Sequence, residues 1–267
     1  MIRKSKIIGI LNITEDSFSD GGKYINNTDA IKRVDQMILQ GCDVIDIGAE
    51  STKPGFEEVD SSKQLDRILP IIKYIKLNHK KSMISIDTRS SLVAEKAIEL
   101  GVDIINDVSS GMHDKNMFDI VSRTNTQIIL THMPLEHLSK DTINSDDIIR
   151  HIETYFQSRI NQALKNGIDI KNIIIDPGIC FGKSGKDNIK IINKIDLLVK
   201  NFNRVCIGAS NKRFSKHLFS EIADDDLKIA SLVISSIASY HNVEFIRVHD
   251  IEPNHDAKEV SWKSVNS

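Results

Sequence analysis

A single-domain α/β barrel of eight β/α units, a (β/α)8 fold, is predicted by three observations. Eight short runs rich in β-branched residues recur along the chain, apolar enough to be buried on both faces as strands of a parallel sheet are. Longer amphipathic segments separate them, so strand and helix alternate from end to end. The 267 residues suit one such barrel, typically about 250 residues. No linker-like or low-complexity stretch divides them, so residues 1–267 are read as one domain.

The first strand is Lys6–Leu11. Thr28–Gln40 follows as a helix, with Ile31, Val34, Met37 and Ile38 on one face and Gly41 as its stop. Asp43–Ile47 is the second strand, and Asp60–Asn78 the second helix, in which Pro70 predicts a kink or break. Met83–Ile86 leads to helix Ser91–Leu100, ending at Gly101. Val102–Ile105 leads to the shortest helix, within Asp114–Ser122. Gln127–Leu130 precedes Asp146–Asn166, which Gly167 ends. Asn172–Ile175 precedes one helix over Asn188–Lys200, and Arg204–Ile207 precedes Asp225–Tyr240. Val243–Ile246 is the eighth strand, and a last helix begins at about His255. The rival fold, a doubly wound open sheet, usually carries a glycine-rich phosphate loop after its first strand. None is present; Gly178–Ser184 matches such a loop only loosely and follows a late strand.

Composition excludes several functions. With 35 Lys+Arg against 37 Asp+Glu the net charge is -2, unlike the basic excess of a nucleic-acid coat. One Trp and 5% aromatic residues offer no stacking platform for bases. Cys42, Cys180 and Cys206 are too scattered for a disulfide framework or a zinc site. The apolar run after the basic Met1–Lys6 segment is too short for a secretory signal or a membrane span. A cytoplasmic protein that binds neither nucleic acid nor membrane is the expectation.

In a barrel, reactive groups come from the C-terminal ends of the strands. Strand one ends in Asn12, and strand two contains Asp46 and leads to Glu50, Thr52 and Lys53. Strands three to six end in Asp87, Asn106, His132 and Asp176. Strand seven leads through Gly208 to Ser210 and Lys212, and strand eight holds Arg247, His249 and Asp250. Polar residues follow any strand as the chain leaves the core, so one alone says little. Asp87, Asn106 and Asp176, each at the end of an apolar run, say more. A buried carboxylate needs a partner. Lys212 and Arg247 are candidates within the protein; a flat heterocycle presenting several N–H donors is a candidate ligand. Asn12, Arg247 and His249 make a second set, suited to an anion or phosphate; an Arg247–Asp250 pair is the alternative for Arg247. Two polar, glycine-containing loops, Thr14–Gly22 and Gly48–Gly55, look too special for spacers; the first suits a mobile lid, and capped turns are the alternative for either.

The motifs GILNITEDSFSDGG at 9–22, DIGAESTKPG at 46–55, ISIDT at 84–88, IINDVSSG at 104–111, IDPGICFGK at 175–183 and RVHD at 247–250 resemble those of the dihydropteroate synthases, in family order over nearly the whole chain. The resemblance implies a folate-pathway transferase, of a family that sulfonamides target. Such enzymes join 4-aminobenzoate to 6-hydroxymethyl-7,8-dihydropterin diphosphate. By matching position, Asp87, Asn106, Asp176, Lys212, Met133 and Gly208 hold the pterin. Asn12, Arg247 and His249 hold the diphosphate, with Mg2+ ligated by Asn12. Phe18, Thr52, Lys53, Pro54, Phe181 and Arg213 surround the aminobenzoate. Asp20 stabilises the cation-like pterin methylene, and Asp20, Lys212, Asn12, Arg247 and His249 form the catalytic set. A homodimer through the last helices is also implied.

The chain departs from the family pattern at Glu15 for Pro, Lys53 for Arg, Asn211 for a cation, Asp187 for His, and in a rewritten loop after Met133. A non-catalytic pterin-binding paralogue is the first alternative these departures raise. A pterin-dependent methyltransferase barrel is the second, although it lacks the DSFSDGG loop and the strand-seven lysine present here.

Overall fold

The computed structural model describes residues 3–13, 27–50, 58–133, 147–210, 212 and 224–266. Strands and helices alternate through them: β1 Lys6–Asn12, α1 Asn27–Leu39, β2 Val44–Gly48, α2 Ser61–Asn78, β3 Met83–Asp87, α3 Ser91–Glu99, β4 Ile104–Asp107 and α4 Met117–Ser122. The second half comprises β5 Gln127–Thr131, α5 Ile148–Lys165, β6 Ile173–Asp176, α6 Gly185–Asn193, α7 Ile195–Phe202, β7 Cys206–Ile207, α8 Asp224–Tyr240, β8 Phe245–Val248 and α9 Ile251–Asn266. All eight strands are parallel, in the order β6-β5-β4-β3-β2-β1-β8-β7. Between β6 and β7 the described residues make a single bridge, Ile175 to Val205, so the barrel is closed except for this seam.

The doubly apolar strands divide between two cores. Ile7, Ile45, Ile47, Ile84, Ile86, Ile105, Ile128, Leu130, Ile173, Ile175, Ile207 and Ile246 face outward and pack with the helices. Ile8, Val44, Ile104, Ile129, Ile174, Cys206 and Phe245, with Met83 beside them, supply one inward residue from each strand. Because side chains alternate with period two, the next inward layer toward the mouth contains Asp46, Ser85, Asn106, Thr131, Asp176, Gly208 and Arg247. One step further stand Asn12, Gly48 and Asp87, with His249 just past β8. The apolar floor thus fixes which polar residues share the cavity.

Three elements differ from expectation. Helix α2 runs unbroken through Pro70. Its Ile68, Ile71, Ile72 and Ile75 are all buried, each worth about 1.5–3 kcal/mol, which together outweigh the roughly 3 kcal/mol that an interior proline costs. The single helix expected over 188–200 is two, joined at Lys194. It starts early because Ser184 and Asp187 form a reciprocal capping box; this explains the acid at 187 in structural terms. Helix α9 begins at Ile251 rather than near His255. Pro253 falls in its first turn, where no intrahelical N–H donor is needed. No described helix is long and apolar enough to cross a membrane.

Candidate active site

Arg247 is the hub of the cavity. Its Nε donates to Asp46 Oδ2 at 2.7 Å and its Nη2 to Asp87 Oδ2 at 2.8 Å. Asn106 Nδ2 donates to the same Asp46 oxygen at 3.1 Å. Asp87 and Asn106 thus come together as expected, but through Asp46, which was not among the expected site residues. Period-two alternation from the inward Val44 was the signal that marks it. The alternative Arg247–Asp250 pair does not form: Arg247 lies on the inward face of β8, whereas Asp250 lies past the strand, at the start of α9. Asp46 is fully buried, and among the described residues its Oδ1 has no hydrogen-bond partner.

Asp87 and Asp176 are perturbed in the same direction. Burial pushes the Asp87 carboxyl up to about 7, against the opposing pull of Arg247 and with a further push from Asp46. Burial also raises Asp176, although the Gly178 N–H, 2.8 Å from its Oδ1, favours the charge. Buried carboxyls with raised pKa beside a cation mark functional sites more often than structural ones. His249 is lowered to about 4, by burial first and by Arg247 next. It is therefore neutral at pH 7; its Nδ1 lies 3.3 Å from Ser210 Oγ. Asn12 ends β1 on the exposed rim, and Met133 is buried just past β5.

Asp176 and Arg247 flank an opening that Gly208 preserves. A Cβ on Gly208 would stand 3.5 Å from Asp176 Oδ2 and 3.9 Å from Arg247 Cβ. Near it, Lys212 Nζ donates to Ile179 O at 2.7 Å and lies 4.2 Å from the centre of the Phe181 ring. The cavity therefore brings carboxylates and an amide together with an ammonium that lies over an aromatic ring. That arrangement takes a flat ligand with an edge of N–H donors.

The turn after β6 curls tightly to make this wall. Gly178, Cys180 and Gly182 all have positive φ, at 67°, 73° and 60°. At Gly178 an added Cβ would lie 2.2 Å from His132 O. Gly178→Ala is expected to cost roughly 2–5 kcal/mol, from left-handed strain and overpacking together. Urea denaturation would measure it; an unchanged midpoint would contradict the geometry.

Of the expected site residues, Phe18, Asp20, Thr52, Lys53, Pro54 and Arg213 lie outside the described residues. Among the described residues, no cluster of three or more His, Cys, Asp or Glu is arranged to hold a metal. Asn12 offers a hard oxygen at the rim; Mg2+ characteristically takes one or two protein oxygens and completes its shell with water and substrate phosphates. The donor set fits an ion that arrives with a phosphorylated substrate.

Comparison with known proteins bears on the same residues. The pattern of the family described as "Pterin binding enzyme" matches residues 8–249. The dihydropteroate synthase of Mycobacterium leprae is 34% identical, over 96% of this chain and 92% of that protein. A mitochondrial folate synthesis bifunctional protein of Arabidopsis thaliana is 35% identical over 96% of this chain, which spans only 49% of that longer protein. A crystal structure of the Clostridium difficile dihydropteroate synthase, obtained with pteroic acid, superposes with a TM-score of 0.91 at 32% identity, covering 100% of this chain and 98% of that one.

Proposed function

The chain belongs to the pterin binding enzyme family, among the dihydropteroate synthases, and from that premise we propose that it joins 4-aminobenzoate to 6-hydroxymethyl-7,8-dihydropterin diphosphate. The products are 7,8-dihydropteroate and diphosphate. The observation that carries this reading is the inward set of Asp87, Asn106 and Asp176 beside the space Gly208 leaves open, with Lys212 close by, against the turn after β6.

The pterin lies in that space with its N–H donors toward the acids and its polar edge toward Lys212. Asn12, His249 and the three remaining N–H donors of Arg247 hold the diphosphate. Mg2+, held by Asn12, neutralises phosphate charge when bound. His249 is neutral and Arg247 already answers Asp46 and Asp87, so these two residues bind the diphosphate chiefly by donating hydrogen bonds. The bond from the exocyclic methylene to the diphosphate oxygen breaks, and its electron pair leaves with diphosphate. The electron-rich pterin carries the resulting positive charge, with Asp20 assigned to stabilise it. The aromatic amine attacks that carbon and then loses a proton. The Phe18, Asp20, Thr52, Lys53, Pro54 and Arg213 segments bind the aminobenzoate and exclude water. No nucleophilic side chain is required.

Diphosphate release by the purified protein tests the reading. It is expected only with the pterin diphosphate, 4-aminobenzoate and Mg2+ together. Tight pterin binding without release would instead identify a non-catalytic paralogue.

A pH dependence follows from Asp87. The ionised form accepts the pterin's donors, and burial raises its pKa to about 7. Protonation therefore removes the acceptor as pH falls. Pterin affinity is expected to be steady above pH 7 and to weaken by about tenfold per unit well below it. Calorimetric titration of 6-hydroxymethylpterin from pH 8 to 5.5 checks this; a flat profile would refute the role assigned to Asp87.

We assign the last helices to self-association. Helix α8 leaves Ile229, Val233 and Tyr240 more than half exposed, and α9 does the same with Val260. An apolar stripe of that kind suits an isologous contact with a second copy. Val233→Asp is expected to shift the protein from dimer to monomer in sedimentation equilibrium. A wild-type monomer would dismiss the assignment.

A further inference from the structure

Lys183 is buried, 7% exposed, and among the described residues its ammonium bonds backbone carbonyls rather than any side chain assigned to substrate. Its Nζ donates to three backbone carbonyls: Gly178 O at 2.8 Å, Phe181 O at 2.9 Å and His132 O at 3.0 Å. An ammonium has three N–H donors and a neutral amine two, so the cage matches the charged form. The left-handed residues at 178, 180 and 182 curl the chain so that two of these carbonyls turn inward. The third belongs to the end of β5. One side chain therefore ties the turn after β6 to the neighbouring strand.

That turn carries two contacts of Lys212, the carbonyl of Ile179 and the ring of Phe181. It also supplies the Gly178 N–H that fixes Asp176. Resting on the pterin-site reading above, we propose that Lys183 is a positioning residue: caged by His132, Gly178 and Phe181, it holds the turn that aims Lys212 at the pterin. Neither Asn188 nor the Ser184–Asp187 capping box replaces it. Asn188 Nδ2 reaches Lys183 O and Ser184 O, and its Oδ1 takes the Cys180 N–H. These bonds anchor the turn to α6, not to β5.

The test is a chemical rescue. Lys183→Ala leaves three inward carbonyls around a hole that propylammonium fits in shape and charge. In the variant, KM for the pterin diphosphate rises and kcat/KM falls on the order of 100-fold, as for an ångström of misplacement. Propylammonium restores kcat/KM saturably; propanol at equal concentration does not. Lys183→Met keeps the volume of the side chain and shows the same loss if Lys183→Ala folds poorly. Combining Lys183→Met with Lys212→Ala adds little to the Lys212→Ala loss, because one acts through the other. Wild-type kinetics in Lys183→Met would overturn the proposal, as would additive losses in the double variant. A role confined to stability would lower the unfolding midpoint and leave KM unchanged. If the wild type itself releases no diphosphate, the functional reading fails first, and that result is distinct from these.

Discussion

Asp176→Asn is expected to abolish diphosphate release while leaving the fold intact. Asp176 ends β6 and faces the opening between itself and Arg247. The substitution is isosteric but turns an acceptor-only carboxylate into an amide that presents its own N–H donors. A pterin edge of N–H donors then meets a donor, and a buried polar group is left unpaired. Sites built to hydrogen-bond a ligand discriminate by about 10⁴–10⁵ when that complement is lost, so turnover should fall toward background. Burial holds the native carboxyl above its ordinary pKa, so removing the charge also removes a desolvation cost. The variant should consequently be at least as resistant to urea as the wild type. Loss of activity with unchanged or raised stability would identify a ligand-facing acid; loss of both would reduce Asp176 to a structural role.

Arg247→Ala should act in the opposite way on stability. Arg247 is the described counter-charge of both Asp46 and Asp87. Removing one partner of a buried ion pair typically costs about 3–5 kcal/mol, because the remaining charge is stranded. The deficit should shrink as pH falls. Burial already raises the Asp87 carboxyl in the folded state, and without the guanidinium its charge loses the opposing pull, so protonation as pH falls relieves the folded state preferentially. Asp46→Asn introduced with Arg247→Ala should recover part of the loss, since the two residues share hydrogen bonds and their effects do not add. Urea titrations at pH 8 and 6 measure both effects. A deficit independent of pH, or strict additivity, would mean that the acids are not held by Arg247.

The sequence made the architecture legible because the barrel demands two kinds of burial at once. A strand such as Ile173–Asp176 must present Ile174 to the interior and Ile173 and Ile175 to the helices. It therefore shows no polar residue until it reaches the mouth, and Asp176 stands out. The same logic exposed Asp87, Asn106 and Arg247. Asp46 was harder to see because, although it shares a layer with Asn106 and Asp176, it is followed by another Ile, so that it reads as an interruption of a strand rather than as its end. Lys183 was invisible for a different reason. Its partners are backbone carbonyls, and no sequence pattern reports where a carbonyl points. Helix boundaries failed where a local rule met a tertiary one, as at Pro70, where buried isoleucines on both sides of the proline carried the helix through it.

The seam between β6 and β7 makes this barrel a split ring rather than a hoop. Seven of its eight joints are ladders, and the eighth is the single bridge from Ile175 to Val205. The two lips are not equivalent bystanders: Asp176 crowns one, and the segment leading to Lys212 leaves the other. A ligand held between those two residues would act as a clasp, joining in the cavity what the backbone leaves nearly unjoined in the wall. The joint with the fewest backbone pairings among the described residues is thus the one that the proposed substrate would span.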